Sequence, residues 1–257
     1  MADVILKTED EIELMRAANR LVSKTLSELR RWVKPGVTTL MLNNIADEFI
    51  RDHGAIPTFK GFPNPFGSPF PGSICTSVND CVVHGVPSAS RVLKDGDILS
   101  IDCGVTLDTF CGDAAYTYCV GEVADDVKAL LKTTEEALYE AIKVAVVGSR
   151  LGDIGYTIQH YCEKRGYGVV RELTGHGIGK KMHEPPQVNN YGRRHSGMLL
   201  QEGMCLAIEP MITMGKRDIF LNAKDLWAIH TKDRMPAAHY EHTIVVRQGR
   251  AEVLSIG

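Results

Sequence analysis

Two stretches of this chain are punctuated in the same way. Gly36 and Gly54 stand 18 residues apart, Gly148 and Gly166 stand 18 residues apart, and the second pair follows the first at an offset of 112 in a chain of 257 residues. In both cases a longer helical pattern precedes the first glycine, a shorter one fills the interval, and strand-like sequence follows. Thr8 and Glu11 have capping-box spacing, and Ile12, Met15, Ala18, Val22, Leu26 and Leu29 recur at helical intervals until Pro35-Gly36. A second helix is expected over about 39–53, with Leu42, Ile45, Ala46, Phe49 and Ile50 on its apolar face. A third, over about 124–147, carries Val127, Leu130, Leu131, Leu138, Ala141 and Ile142 and is stopped by Gly148; a fourth covers about 152–164. The echo suggests two similar α+β halves with a site where they meet, although two unrelated helical hairpins would show the same spacing.

Strand signals cluster at about 74–84, 97–104, 109–120, 167–172, 203–213 and 238–247, while 62–72, 174–194 and 215–217 read as loops. The composition, 44% hydrophobic and 24% charged, excludes a disordered chain, a collagen-like repeat and a coiled coil. A net charge of −3 argues against nucleic acid or an anionic membrane as a main partner. The first ten residues turn acidic before any apolar run develops, so they do not read as a secretory signal, and no stretch is apolar enough to span a bilayer. Seven cysteines without a C-x-x-C pair read as reduced thiols of a cytoplasmic protein. Any metal must then be held mainly by histidines and carboxylates.

Asp102 and Asp113 lie on successive strand signals. If the hairpin turns at Leu107-Asp108, the two carboxylates oppose one another and repel. They are then either solvated on an exposed face or separated by a proton or a cation on a covered one. The apolar flank Ile98-Leu99-Ser100-Ile101 favours the covered face. Gly175, Gly177 and Gly179 surround His176 in what reads as a loop that admits a ligand close to the backbone, and Pro185-Pro186 fixes the chain after His183 and Glu184. Glu209 sits in an apolar strand immediately before Pro210, and Glu241 opens the β-prone run to Val246. Either glutamate alone would pass for a surface strand end. Four carboxylates and one imidazole together suit a pair of divalent cations such as Mn(II), Fe(II), Co(II) or Zn(II), whose usual work is hydrolysis. His84, before Gly85, fits a surface position or a functional one equally well.

The set His84, Asp102, Asp113, His176, His183, Glu209 and Glu241 resembles the type I methionine aminopeptidases, in their bacterial-type short form. The local wording is similar too: Val83-His84-Gly85, Gly175-His176-Gly177-Ile178-Gly179, His183-Glu184-Pro185, Ile208-Glu209-Pro210 and Tyr240-Glu241-His242-Thr243. The resemblance implies an α+β, pita-bread (creatinase/aminopeptidase) fold. This would be a single metallopeptidase domain over 1–257, with pseudo-symmetric halves of about 1–121 and 122–257 around a curved antiparallel sheet. It implies removal of the initiator methionine from nascent proteins when the next residue is small, by attack of a hydroxide held between two metals on the peptide carbonyl. Asp102, Asp113, His176, Glu209 and Glu241 would be the metal ligands and Glu209 the proton acceptor. His183 would hydrogen-bond the carbonyl oxygen, and His84 would contact the scissile nitrogen. Phe59, Phe62, Cys75, Met182 and Trp227 would line the methionine pocket, where the bland alternative is plain core packing. The implied setting is a cytoplasmic monomer acting on N-terminal Met peptides and nascent chains near the ribosome exit, without direct contact to nucleic acid or membrane. Extra residues, Asn64 to Pro71, border the pocket, and Met182 and Cys111 stand where an aromatic residue and a histidine are common in the family. An aminopeptidase P or prolidase shares the fold and most ligands but carries a further N-terminal domain. A non-catalytic pita-bread binding protein would have lost ligands that are all present here.

Overall fold

The structure is a computed structural model and describes residues 4–256; Met1 to Asp3, part of the stretch that does not read as a secretory signal, lie outside the described residues. Helix α1 (Glu9–Arg30) starts in the expected box: Thr8 Oγ1 accepts from the Glu11 amide at 3.3 Å, and the Glu11 carboxylate accepts from the Thr8 amide at 3.1 Å. All six of its expected apolar residues are buried. Helix α2 (Thr39–Asp52) is capped by Thr38, and α4 is Leu151–Glu163. Helix α3 (Asp125–Val144) ends before the expected Gly148, because the backbone already leaves the helical region at Ala145, where ψ is 58°. Gly36, Gly54, Gly148 and Gly166 have φ of 90°, 74°, 91° and 85°. Nothing lies within 4 Å of where a Cβ would sit on any of them. Each is therefore required by its left-handed backbone rather than by crowding. The echo in the sequence is thus a repeated pair of left-handed glycine turns in the connections that follow the four helices.

After α2 come β1 (Ile56–Pro57), β2 (Cys75–Val78), β3 (Cys81–Val83), β4 (Ile98–Leu107) and β5 (Phe110–Cys119). After α4 come β6 (Gly168–Val169), β7 (Thr174–Gly177), β8 (Glu184–Asn189), β9 (Cys205–Ile208), β10 (Met211–Thr213), β11 (Ile219–Leu221), β12 (Ile229–Thr231), β13 (Ala237–His239), β14 (His242–Val245) and β15 (Glu252–Val253). The class is α+β, as expected, with antiparallel pairing throughout. The strands fall into four sheets rather than one: β1-β4-β2 with β5 on β4, β15-β14-β9-β7-β8, β13-β10-β6, and β11-β12-β3. The last joins β3 from the first part of the chain to β12 from the second.

Two expectations are corrected. The β4–β5 hairpin turns at Asp108-Thr109, both at positive φ, so Asp102 pairs with Ala115 and Asp113 with Gly104. A two-residue loop of this kind matches the twist of the strands. The register differs by two residues, which keeps both carboxylates on one face but sets them diagonally rather than opposite. The segment 174–194 is not a loop throughout: β7 and β8 form a ladder inside it, and β7 also pairs with β9. A Cβ on Gly175 would lie 2.3 Å from Ala207 O, and one on Gly177 would lie 2.2 Å from Pro185 O. The glycines around His176 serve close packing of backbones.

Helices α1 and α2 pack Leu29, Leu42 and Ile50 against Leu99, Ile101 and Val105 of β4. Helices α3 and α4 pack Leu130, Leu138 and Ile158 against Leu206, Ile208 and Ile244. Each such side chain contributes roughly 1.5–3 kcal/mol by leaving water. A smaller cluster with Ile12, Phe110, Ile178, Cys205 and Val245 joins the two cores. No helix among the described residues is long and apolar enough to cross a membrane.

Candidate metal centre

The two cores meet where β5 runs beside β13 and β14. The Glu241 amide donates to Ala115 O at 2.9 Å, and Thr243 Oγ1 donates to Asp113 O at 2.8 Å. Asp102 and Asp113 come from the β4–β5 ladder. Glu209 and Glu241 come from the joint between two further ladders, β9–β14, where Ile208 pairs with His242, and β10–β13, where, beyond Pro210, Met211 pairs with His239. The two ladders share one register, so Glu209 faces Glu241 across the gap that Pro210, lacking an amide hydrogen, leaves between them. Each part of the chain thereby supplies one pair of carboxylates from paired strands.

His176 on β7 reaches the same place. Its Nδ1 lies 2.9 Å from Gly177 O. A carbonyl can only accept, so Nδ1 donates this hydrogen bond, and Nε2 faces the carboxylates. Nε2 stands 3.6 Å from Asp113 Oδ2 and 3.7 Å from Glu209 Oε1. Asp113, His176 and Glu241 each offer a ligand atom within 4.8 Å of the others. Asp102 and Glu209 line the same cavity of about 120 Å³.

Burial and the neighbouring Asp113 and Glu209 carboxylates push Asp102 well above the usual carboxylate range, and Glu241 likewise. Asp113 is also raised by burial, with His176 opposing. Burial alone would lower the His176 imidazole, but Asp113 and Glu209 outweigh it and raise it. Asp102 Oδ1, Asp113 Oδ1 and Glu241 Oε1 are buried without a hydrogen-bond partner. Crowded carboxylates with orphaned oxygens are costly unless a cation satisfies them. Hard oxygens with one imidazole nitrogen are the donor set for divalent transition metals, and these residues fit such ions.

His84 follows β3 at φ 58°, an uncommon conformation for a residue with a side chain. Its ring meets Trp227 edge-on at 6.4 Å, and burial pushes it down to about 4 despite the nearby Glu209. His183 stands at the cavity mouth between His176 and Phe62, with ring centroids 4.4 and 5.3 Å away. Phe59, Phe62, Phe70, Cys75 and Trp227 line the same cavity, with Cys75 directly across the ladder from Asp102. Met182 does not reach the cavity surface and packs with Phe59 and Phe62 behind it.

The 64–71 segment covers the Trp227 side of the cavity. Asn64 Nδ2 donates to Leu226 O at 2.9 Å, Trp227 Nε1 donates to Ser68 O at 3.0 Å, and Phe70 meets Trp227 edge-on at 5.1 Å. Phe70 went unnoticed in the sequence because it lies in a loop rich in proline and glycine; a large aromatic residue among turn formers was the available signal. His239, one register step from Glu209, was missed as well.

Comparison with known proteins agrees with this geometry. The family model for metallopeptidase family M24 matches residues 13–248. A methionine aminopeptidase of Clostridium acetobutylicum is 47% identical over 253 residues, covering 98% of this chain and 99% of that protein. The crystal structure of methionine aminopeptidase from Rickettsia prowazekii superposes with a TM-score of 0.94 at 44% identity, covering 99% of this chain and all of that one. An Xaa-Pro dipeptidase from Bacillus anthracis, at 23% identity and a TM-score of 0.78, shares the fold; the match covers 98% of this chain but 62% of the dipeptidase.

Proposed function

The chain belongs to metallopeptidase family M24, and on that premise we propose that it is a methionine aminopeptidase, removing the initiator methionine from nascent proteins whose next residue is small. The observation that carries the reading is one cavity lined both by a carboxylate–imidazole cluster and by aromatic and sulfur-containing side chains. Phe59, Phe62, Phe70, Cys75 and Trp227 suit a thioether side chain. With the methionine seated there, its carbonyl carbon falls toward Asp102, Asp113, His176, Glu209 and Glu241.

These five residues would hold two divalent cations, drawn from Fe(II), Mn(II), Co(II) and Zn(II). Bound there, the cations supply a Lewis acid and a water of lowered pKa. Glu209, whose side chain lines the cavity at 14% exposure, takes the proton of the attacking water. His183 at the mouth donates to the carbonyl oxygen as negative charge develops on it. His84 contacts the scissile nitrogen and helps protonate the leaving amine. The Ser68–Trp227 contact holds the 64–71 segment over this side of the cavity, so the segment bears on substrate range. The same proposal has the chain work as one domain of two pseudo-symmetric halves and as a cytoplasmic monomer near the ribosome exit, where its substrate emerges.

The test is release of free methionine from Met-Ala-Ser and Met-Pro peptides by metal-stripped protein, with and without added Mn(II) or Co(II). Metal-dependent cleavage of the Met-Ala bond supports the reading. Cleavage confined to bonds before proline would instead make this an aminopeptidase P, and no release with any metal would favour a binding protein. Glu209→Gln is expected to abolish turnover in the same assay; activity near wild type would remove Glu209 from its role.

A further inference from the structure

The mechanism above leaves one imidazole beside the carboxylates without a task. His239, on β13, is 1% exposed. Its Nε2 is buried with no hydrogen-bond partner and stands 3.4 Å from Glu209 Oε2. The other oxygen of that carboxylate, Oε1, faces His176 Nε2 at 3.7 Å. Glu209 is thus flanked by an imidazole on each oxygen. The placement follows from the strand register. Met211 pairs with His239, so Glu209, two residues earlier, is the diagonal same-face neighbour of His239, a separation long side chains bridge. The backbone of His239 is held on both sides by one hydroxyl of β5: its amide donates to Thr117 Oγ1 at 3.0 Å, and its carbonyl accepts from Thr117 Oγ1 at 2.8 Å. The ring is therefore built in from the opposite sheet.

Leaving a buried ring nitrogen unpaired is costly. A leucine or phenylalanine would fill the volume without that cost. We propose that His239 is a positioning residue for Glu209: its Nε2–H donates to Oε2 and sets the plane of the carboxylate, which leaves Oε1 for the cations and the attacking water. A hydrogen bond of ordinary length, about 2.9 Å, requires a shift of roughly half an ångström. The broad terminal torsion of a glutamate permits this. His239 does not join the group of Asp113, His176 and Glu241 whose ligand atoms converge, so it acts on the centre through Glu209.

This inference rests on the reading that Glu209 serves the metal centre, and the experiment separates the two. His239→Leu keeps the bulk and removes the donor; His239→Gln keeps an amide N–H; Glu209→Gln tests the underlying role. For each variant one measures kcat and KM on Met-Ala-Ser with Mn(II), Co(II) affinity by calorimetry, and the visible absorption of the Co(II) form. Residues that orient a ligand typically change affinity or activity by about 10- to 100-fold. His239→Leu is expected to lose that much in kcat and in Co(II) affinity, with KM within about twofold and an altered Co(II) spectrum. His239→Gln should recover most of both. Wild-type-like kcat and Co(II) binding in His239→Leu would overturn the proposal, and equal losses in both His239 variants would reduce the residue to packing. With Glu209→Gln inactive, either result counts against His239 alone; an active Glu209→Gln would remove the premise and the inference with it.

Discussion

Asp102 carries a buried oxygen that no proton donor reaches, and its neighbours Asp113 and Glu209 are also carboxylates. Such a residue is destabilising in the metal-free protein and becomes useful only with a cation beside it. Stability and function therefore pull in opposite directions at this position. Asp102→Asn removes one of the crowded charges while keeping the shape of the side chain. The metal-free variant is expected to unfold above the metal-free wild type, by about 1 kcal/mol or roughly 2–4 °C for a chain of this size. The upward shift in Tm that Mn(II) gives the wild type should largely disappear, since that shift measures binding to the folded form. Thermal unfolding with and without Mn(II) checks both. A variant less stable than wild type without metal, yet stabilised by Mn(II) to the same degree, would contradict this account of the cluster.

Elements were legible where a single periodicity decided them. The apolar residues of α1 and α2 read as helices because each has one buried face, and all four punctuating glycines have left-handed backbone. The hairpin bearing Asp102 and Asp113 was readable in its face but not in its register, because alternation fixes side-chain direction and is indifferent to a slip of two. Strand β7 was unreadable for a different reason: its glycines look like a loop until β8 and β9 are placed on either side of it. Gly175→Ala would force a methyl group to 2.3 Å from Ala207 O, against backbone that cannot yield. A loss of about 2–3 kcal/mol is expected, seen as a lower urea midpoint at unchanged slope; a change under half a kcal/mol would mean β7 is free to move. Helix α2 makes a second prediction through Asp47, which accepts from Arg51 Nε at 2.9 Å, Lys60 Nζ at 2.9 Å and Ser73 Oγ at 2.5 Å. Burial would raise this carboxyl, but the three donors outweigh it and hold it below the usual range. A group lowered on folding stabilises the protein above its unfolded pKa near 3.8 and loses that contribution as pH falls. Asp47→Asn should cost on the order of 1–2 kcal/mol at pH 7, and the gap to wild type should narrow below about pH 4. A gap that stays constant from pH 7 to pH 3 would count against the carboxylate as its source.

At the scale of the whole molecule, the segment before α1 belongs to the far side of the centre. The Lys7 amide donates to Gly203 O at 2.8 Å, next to β9. Its ammonium lies 2.5 Å from Glu184 Oε2, with the two side chains 4% and 5% exposed, and also donates to Ile5 O at 3.1 Å. The other Glu184 oxygen accepts the Lys181 amide at 3.2 Å, which closes the turn that presents His183 to the cavity mouth. No motif or periodicity relates residues 7 and 184, so this tie was invisible in the sequence; it exists only once both parts of the chain close around the centre. Breaking a buried pair from one side strands the other charge, at a cost of about 3–5 kcal/mol. Lys7→Met should lose that much stability and lower kcat on Met-Ala-Ser, because the segment that positions His183 loses its anchor. The double variant Lys7→Met/Glu184→Gln should regain most of the stability, since no buried charge is left alone, yet little of the kcat, since the anchor is still missing. Urea unfolding and steady-state kinetics on both variants separate the two effects. Full recovery of kcat in the double variant would show that the charge, and not the tie, governs His183; a Lys7→Met protein as stable as wild type would show that the tie carries no load at all.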